Sequence, residues 1–279
     1  MKIKILSDST CDLSPALLAE NDSSLVPLTV VKGGEQFKDG VTITAADIFA
    51  HVANGGDLCS TAANSIGEYA DIFEQYTDCE GVILVTIGSG FSSCYQNATL
   101  AAEDYPNVRV IDSQNLSTGQ GLVVLEACRL AKECATLEEL HEKVQAFTAK
   151  VEASFLVDKL TYLAKGGRCS AVAALGANLL NLKPQIDVKD GKMGVSKKFR
   201  GKYGKCLANY VQEKLADRDD IRRDILFVTK TSVSEEEYAE VMAAVKQYGH
   251  FETVYETFAG CTVSCHCGPG TLGVLFVRK

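Results

Sequence analysis

Val82-Ile83-Leu84-Val85-Thr86-Ile87-Gly88-Ser89-Gly90-Phe91-Ser92-Ser93-Cys94-Tyr95-Gln96-Asn97-Ala98 carries the clearest structural signal in the chain. Its first six residues are an unbroken β-branched and apolar run, the pattern of a strand covered on both faces, and the run stops at a Gly-Ser-Gly turn. Ser92 or Ser93 then stands where a helix cap belongs, ahead of Ala98, Leu100 and Ala101 as the inward face. A strand that ends in a glycine-rich hydroxyl loop and opens a helix presents backbone N–H groups and hydroxyls together, which suits a phosphate or a carboxylate. An ordinary strand-to-helix connection with a serine cap has the same local pattern.

Working outward, 279 residues with 46% hydrophobic and 23% charged side chains describe a globular protein of two medium domains. A formal net charge of -8 argues against nucleic acid or an anionic membrane as the main partner, because both demand a cationic footprint. The opening Met1-Lys2-Ile3-Lys4-Ile5-Leu6 is too short and too charged for a signal peptide, and no apolar run reaches membrane-spanning length. A cytoplasmic protein without stable membrane insertion is expected. The eleven cysteines are odd in number and scattered, and in a reducing compartment they read as free, small apolar residues.

Strands and helices alternate through the first half. Ile3 to Leu6 is a strand that runs into Ser7-Asp8-Ser9-Thr10-Cys11-Asp12, and Ser14 caps a helix with Pro15 at its first position. Leu25 to Val31 reads as one apolar strand, followed by a polar excursion through Lys38-Asp39-Gly40. Thr44 with Asp47 and Ser65 with Glu68 have the spacing of capping boxes. Val108 to Ile111 is a strand ending in Asp112-Ser113, and helices are expected from Thr118 to Cys134 and from Thr136 into Val151. Ligands of open α/β sheets sit outside the carboxyl ends of the strands, so Ser7-Asp8, Ser89 to Ser93 and Asp112-Ser113 are expected to face one crevice. The first domain is expected to span residues 1–152 and the second 153–279.

The second half opens with a strand at Ala153 to Val157, and Leu160 to Arg168 leads through Gly166-Gly167 to an arginine. Ala171 to Leu182 is nearly free of charge and reads as a mostly buried helix or the wall of an apolar cavity. Lys183 to Val188 and Met193 to Val195, joined through Asp190-Gly191, form a predicted hairpin. Lys197, Lys198, Arg200, Lys202 and Lys205 make an isolated basic cluster, which read alone is a solvated helix entry. Cys265-His266-Cys267 invites a zinc reading, but an extended backbone there would turn the cysteines and the histidine to opposite faces, and no second cysteine pair lies near. His266 ahead of Gly268-Pro269-Gly270 instead offers one hydrogen bond to an anion.

Together these motifs resemble the DegV family. Ser7-Asp8-Ser9-Thr10-Cys11-Asp12-Leu13, the Thr61 to Ser65 loop before Gly67-Glu68-Tyr69, the Ser89 to Ala98 loop, Val110-Ile111-Asp112-Ser113, Leu163 to Arg168, Lys183-Pro184 and His266-x-Gly268-Pro269-Gly270 occur in the family's order over nearly the whole chain. The resemblance implies an α/β protein of two domains, with an N-terminal Rossmann-like three-layer αβα domain, a C-terminal α/β domain with a mixed sheet, and a ligand tunnel between them. It further implies a carrier without catalysis of its own. Such a protein binds a long-chain fatty acid as its ligand, uses no cofactor or metal, and presents the fatty acid to the catalytic subunit of a fatty acid kinase.

Carried over residue by residue, Thr61 matches the threonine that opens the family's Thr-Ser-Gln-Pro-Ser pattern. Ser92 matches the serine of its Ser-Gly-Thr-Tyr-Gln pattern, and His266 the histidine before Gly-Pro-Gly. With the additional hydroxyl of Ser93, these are the expected carboxylate-binding residues. Arg168 matches the arginine of the family's Gly-Gly-Arg motif and Arg200 an arginine before a basic helix; with Lys202 they are the candidate kinase-docking residues. The chain departs from the family at Ala62-Ala63-Asn64, which replaces Ser-Gln-Pro, and at Ser93-Cys94, which replaces Gly-Thr.

The chemistry of the residues agrees. Hydroxyls and an imidazole suit a monoanionic carboxylate, whereas a triphosphate calls for a P-loop lysine that is not in the chain. The residues also leave two enzymatic alternatives open. One is a serine hydrolase acting on a lipid or acyl substrate through Ser92 or Ser93, His266 and Asp8, although the Gly-x-Ser-x-Gly placement is missing. The other is an independent nucleotide-dependent kinase.

Overall fold

The computed structural model describes residues 2–169 and 182–279. The expected helix at Ala171 to Leu182 lies outside the described residues up to 181, and Leu182 itself opens a strand.

The first half is built on a parallel sheet of four strands in the order β2-β1-β6-β7, with β1 at Ile3–Asp8, β2 at Ser23–Val26, β6 at Gly81–Thr86 and β7 at Val108–Asp112. All six residues of β6 are buried, the outcome its sequence demands. Helices α3 (Ile66–Glu74) and α4 (Cys94–Ala102) pack together, α5 (Ser117–Leu130) lies along β1 and β6, and α6 (Leu137–Thr148) lies along β6 and β7. Capping works as local chemistry predicts: Ser14 caps α1 (Pro15–Glu20), and Thr44 and Ser65 open α2 (Ala45–Ala53) and α3 through complete capping boxes. At α4 neither serine forms the ordinary cap. Ser93 makes no capping bond, and Ser92 Oγ accepts a long bond of 3.4 Å from the Cys94 N–H.

The run Leu25 to Val31 is not one strand. Pro27 and Leu28 divide it into β2 and a separate β3 (Thr29–Lys32), which belongs to a small antiparallel sheet with β4 (Glu35–Lys38) and β5 (Ser60–Ala62) in the order β4-β3-β5. Proline has no N–H for a ladder, so the chain leaves the first sheet there.

The second half holds a mixed sheet of six strands, β10-β9-β8-β13-β11-β12. Its strands are β8 (Val151–Leu156), β9 (Leu182–Lys189), β10 (Lys192–Arg200), β11 (Ile221–Lys230), β12 (Thr253–Phe258) and β13 (Leu272–Arg278). Four described helices accompany it: α7 (Thr161–Gly166), α8 (Tyr203–Leu215), α9 (Glu235–Tyr248) and α10 (Cys261–Cys267). The β9–β10 hairpin turns through Asp190 and Gly191 at φ 49° and 69°, as a two-residue type I′ turn requires.

Helix α5 is shared by both halves. It packs on β1 and β6 on one side and on β8, β11 and β13 on the other, and eleven of its fourteen residues are buried. Gly121 lets it approach the first half, since a Cβ there would lie 2.8 Å from the Cys11 carbonyl oxygen. Thr118 Oγ1 bonds Thr229 Oγ1 of β11 at 2.6 Å. Gly90 of the loop after β6 meets the tip of the β9–β10 hairpin, where any Cβ would overlap the Gly191 carbonyl oxygen. One continuous apolar core therefore runs from Ile5 and Leu84 through Val123 to Phe155 and Leu275.

A polar cavity between the two sheets

A cavity of about 260 Å³ opens where the loops at the carboxyl ends of the first sheet meet helix α10. Its polar wall contains Thr61, Ser92, Ser93, Arg168, Thr262 and His266, and its apolar wall includes Leu28, Phe91, Leu116, Met193 and Val263. The four residues expected to hold a carboxylate, separated by up to 205 positions, thus line one space. Thr61 Oγ1 lies 2.8 Å from His266 Nε2. Leu116, Val263 and Cys267 also border a second, smaller space of about 30 Å³ that continues between Ala153, Phe155 and Leu275. The polar end is the outer one, since Ser93 and Arg168 are exposed.

Each polar residue is placed by its own element. Thr61 sits in β5 opposite Val30 of β3. Ser92 follows a loop held by Asp112, whose carboxylate accepts from the Ser89 N–H at 3.0 Å and the Ser89 hydroxyl at 2.6 Å. Ser92 Oγ is 3.1 Å from Cys94 Sγ, so the unusual Cys94 tethers the neighbouring serine while Ser93 faces the cavity. Ala62 and Ala63 put methyl groups on the wall, where the family pattern has polar side chains. Gly167 ends α7 at φ 69°, and a Cβ on Gly166 would lie 2.6 Å from His266 Nδ1, which explains the double glycine before Arg168.

His266 rides on the last turn of α10, which is held at its start by two aspartates of the first half. Asp39 accepts from the Cys261 N–H at 2.9 Å, the Thr262 N–H at 3.1 Å, the Thr262 hydroxyl at 2.7 Å and the Ser9 hydroxyl at 2.9 Å. Asp12 accepts from the Gly260 N–H at 2.9 Å and the Ser117 hydroxyl at 2.6 Å. Burial pushes the Asp12 carboxyl up to about 8 against those two hydrogen bonds.

The helix corrects the expectation of an extended backbone at Cys265-His266-Cys267. Two residues along an α-helix turn the direction by roughly 200°. Cys265 therefore packs with Cys59 and Cys261 in a small apolar cluster, while Cys267 faces the main core. Among the described residues no group of three or more His, Cys, Asp or Glu side chains is arranged to hold a metal.

The hydrolase triad is not assembled. Asp8 is fully buried and accepts from Thr10, from Gln120 Nε2 at 2.9 Å and from the Ile87 N–H at 2.7 Å. His266 Nδ1, the atom a triad aspartate would hold, has no hydrogen-bond partner among the described residues. Of the strand ends expected to face one crevice, Asp8 and Asp112 secure loops, and the Ser92-Ser93 pair reaches the cavity. The basic cluster is not a helix entry alone: Lys197, Lys198 and Arg200 lie on β10, the edge strand of the mixed sheet, and Lys202 and Lys205 belong to the start of α8. Exposed cations on an edge strand discourage pairing with other chains.

The family model described as "uncharacterised protein, DegV family" matches residues 2–279. The chain belongs to the DegV family. A DegV domain-containing protein of Caldanaerobacter subterraneus is 30% identical, over 100% of this chain and 99% of its own. Among solved structures, a fatty-acid-binding DegV family protein of Thermus thermophilus superposes with a TM-score of 0.89 at 27% identity, covering 100% of both chains. A stearic-acid-binding protein of Eubacterium ventriosum gives 0.81 at 30% identity, covering 99% of this chain and 98% of that one. The α/β architecture is thus the DegV fold, and no helix among the described residues is long and apolar enough to cross a membrane.

In this DegV cavity, burial and then the nearby Arg168 lower the His266 pKa to about 4, so the ring is neutral at pH 7. A histidine harder to protonate folded than unfolded costs nothing above pH 7. As pH falls, the unfolded chain takes the proton near 6.5 and the folded one only near 4, so stability is lost across that window. Wild type should lose on the order of 2–3 kcal/mol relative to His266→Gln between these limits. Urea unfolding at a series of pH values checks this; parallel pH profiles for the two proteins would contradict it.

Proposed function

We propose that the protein binds a long-chain fatty acid, its carboxylate held by Thr61, Ser92, Ser93 and His266, and presents it to the catalytic subunit of a fatty acid kinase for conversion to acyl phosphate. The observation that carries this reading is the cavity itself, with three hydroxyls and a neutral imidazole at its outer end and an apolar continuation between the sheets. Relatives of the same fold described as fatty-acid- and stearic-acid-binding support it. Burial of about ten methylenes contributes roughly 8 kcal/mol, enough for micromolar affinity before ordering costs. The protein acts as a carrier in the cytoplasm, and the chemistry is the kinase's: a carboxylate oxygen attacks the γ-phosphorus of ATP and ADP departs. We draw the domain division, expected at 152/153, just ahead of β8 at Val151, so that the ligand lies between the two units.

The test is mass spectrometry of an organic extract of the purified, denatured protein, followed by binding measurements. A long-chain fatty acid is expected in the extract. Thr61→Ala or Ser92→Ala should weaken its binding a few-fold to about tenfold, the cost of one neutral hydrogen bond of about 0.5–1.5 kcal/mol. Lipid-free protein that also fails to bind added fatty acid would refute the reading.

For the kinase, Arg168 stands at the cavity mouth, while Arg200 ends β10 on the order of 20 Å along the strand from Met193. Arg168, Arg200 and Lys202 are therefore assigned to a docking surface that extends from the mouth along the β10 edge. Arg200→Glu should slow phosphorylation of the bound fatty acid by the kinase, more at low salt than at high, and leave fatty-acid affinity nearly unchanged. Wild-type phosphorylation rates across salt and carrier concentrations would remove the docking role.

A further inference from the structure

Lys38-Asp39-Gly40 reads in the sequence as a polar excursion, yet Asp39 is 4% exposed and accepts four hydrogen bonds. Three of them come from the first two residues of α10, two backbone N–H groups and one hydroxyl, about 220 positions away. The Asp39 N–H is fixed in turn by the Leu28 carbonyl at 2.9 Å, and Leu28 is a wall of the cavity. Ser9 completes the frame, since its hydroxyl donates to Asp39 and accepts the Leu28 N–H at 3.2 Å. The carboxylate therefore joins the cavity wall to the start of the seven-residue helix whose last turn carries His266.

A helix this short, rich in Cys, Thr, Val and Ser, has little intrinsic tendency to form. Its starting N–H groups have no partner within the helix, and a carboxylate there satisfies them and favours the dipole. We infer that Asp39 is a positioning residue for ligand binding: by holding the start of α10 it sets the distance between His266 Nε2 and Thr61 Oγ1 at the head-group end of the cavity. This inference rests on the fatty-acid reading for its effect on affinity, and on the geometry alone for its effect on His266.

Asp39→Asn is the discriminating variant because it keeps shape and one carbonyl oxygen. That oxygen can serve Cys261 or Thr262, but the new NH2 group must then face an N–H that cannot turn away, whereas the hydroxyls of Ser9 and Thr262 can rotate. The first readout uses ligand-free protein with 15N-labelled histidine. The His266 Nε2 resonance of Asp39→Asn should move from its wild-type position toward that of Thr61→Val, which lacks the hydroxyl bond. The second is the dissociation rate of a fluorescent long-chain fatty acid, expected to rise about tenfold or more in Asp39→Asn. In a His266→Gln background the same change should have almost no further effect, because coupled residues are not additive.

If Asp39→Asn does not fold, Ser9→Ala removes a single bond to the same carboxylate and should shift the His266 resonance in the same direction by a smaller amount. A folded Asp39→Asn, or Ser9→Ala in its place, with the His266 resonance unmoved overturns the inference, as does an equal rise in dissociation rate with and without His266. Should wild type bind no fatty acid, the fatty-acid reading fails while the resonance still decides the positioning role.

Discussion

The carboxylate of Asp39 at the start of helix α10 is the contact on which the arrangement of the cavity depends. His266 belongs by sequence to the second half, Thr61 and Ser92 to the first, and the 2.8 Å approach of His266 to Thr61 exists because α10 is anchored across the junction. Asp12, in the left-handed region at φ 50°, adds the Gly260 N–H to the same frame. Hydrogen bonds to a carboxylate are directional and stronger than neutral ones, so the three that Asp39 accepts from α10 fix an angle as well as a position.

Helix α5 supplies the other fixed reference. Sandwiched between two sheets, it cannot be amphipathic in the ordinary sense, and its Ser117-Thr118-Gly119-Gln120-Gly121 start uses small and polar residues where a one-sided helix would alternate. Gln120 donates to Ser7 and Asp8 at 2.9 Å, Ser117 to Asp12, and Thr118 pairs with Thr229. The loop that carries the cavity serines and the loop that anchors α10 are thereby referred to one helix. The head-group residues can then be few and neutral, because their spacing is set by buried polar contacts behind them.

Much of this was legible from local chemistry. The β6 run, the capping boxes at Thr44 and Ser65, and the Asp190-Gly191 turn are decided by neighbours within a few residues, and each formed as read. Two of the misread stretches share a cause. Leu25 to Val31 was split because Pro27 hands the chain from one sheet to another, and Cys261 to Cys267 is helical because its stabilising partner lies about 220 residues upstream. Periodicity carries no trace of a partner that distant. The convergence of Thr61, Ser92, Ser93 and His266 was reached through family motifs, whereas the anchoring role of Asp39 had no local signal beyond an aspartate before a glycine.

A carboxylate at the outer end and an acyl chain directed between the sheets would be seen directly in a crystal structure of the protein with stearic acid. Electron density for the carboxylate is expected within hydrogen-bond distance of Thr61, His266 and at least one of Ser92 and Ser93, with the chain passing Val263 and Cys267 toward Phe155 and Leu275. A carboxylate bound elsewhere, or a chain running in the opposite direction with its methyl end at Thr61 and His266, would contradict this placement.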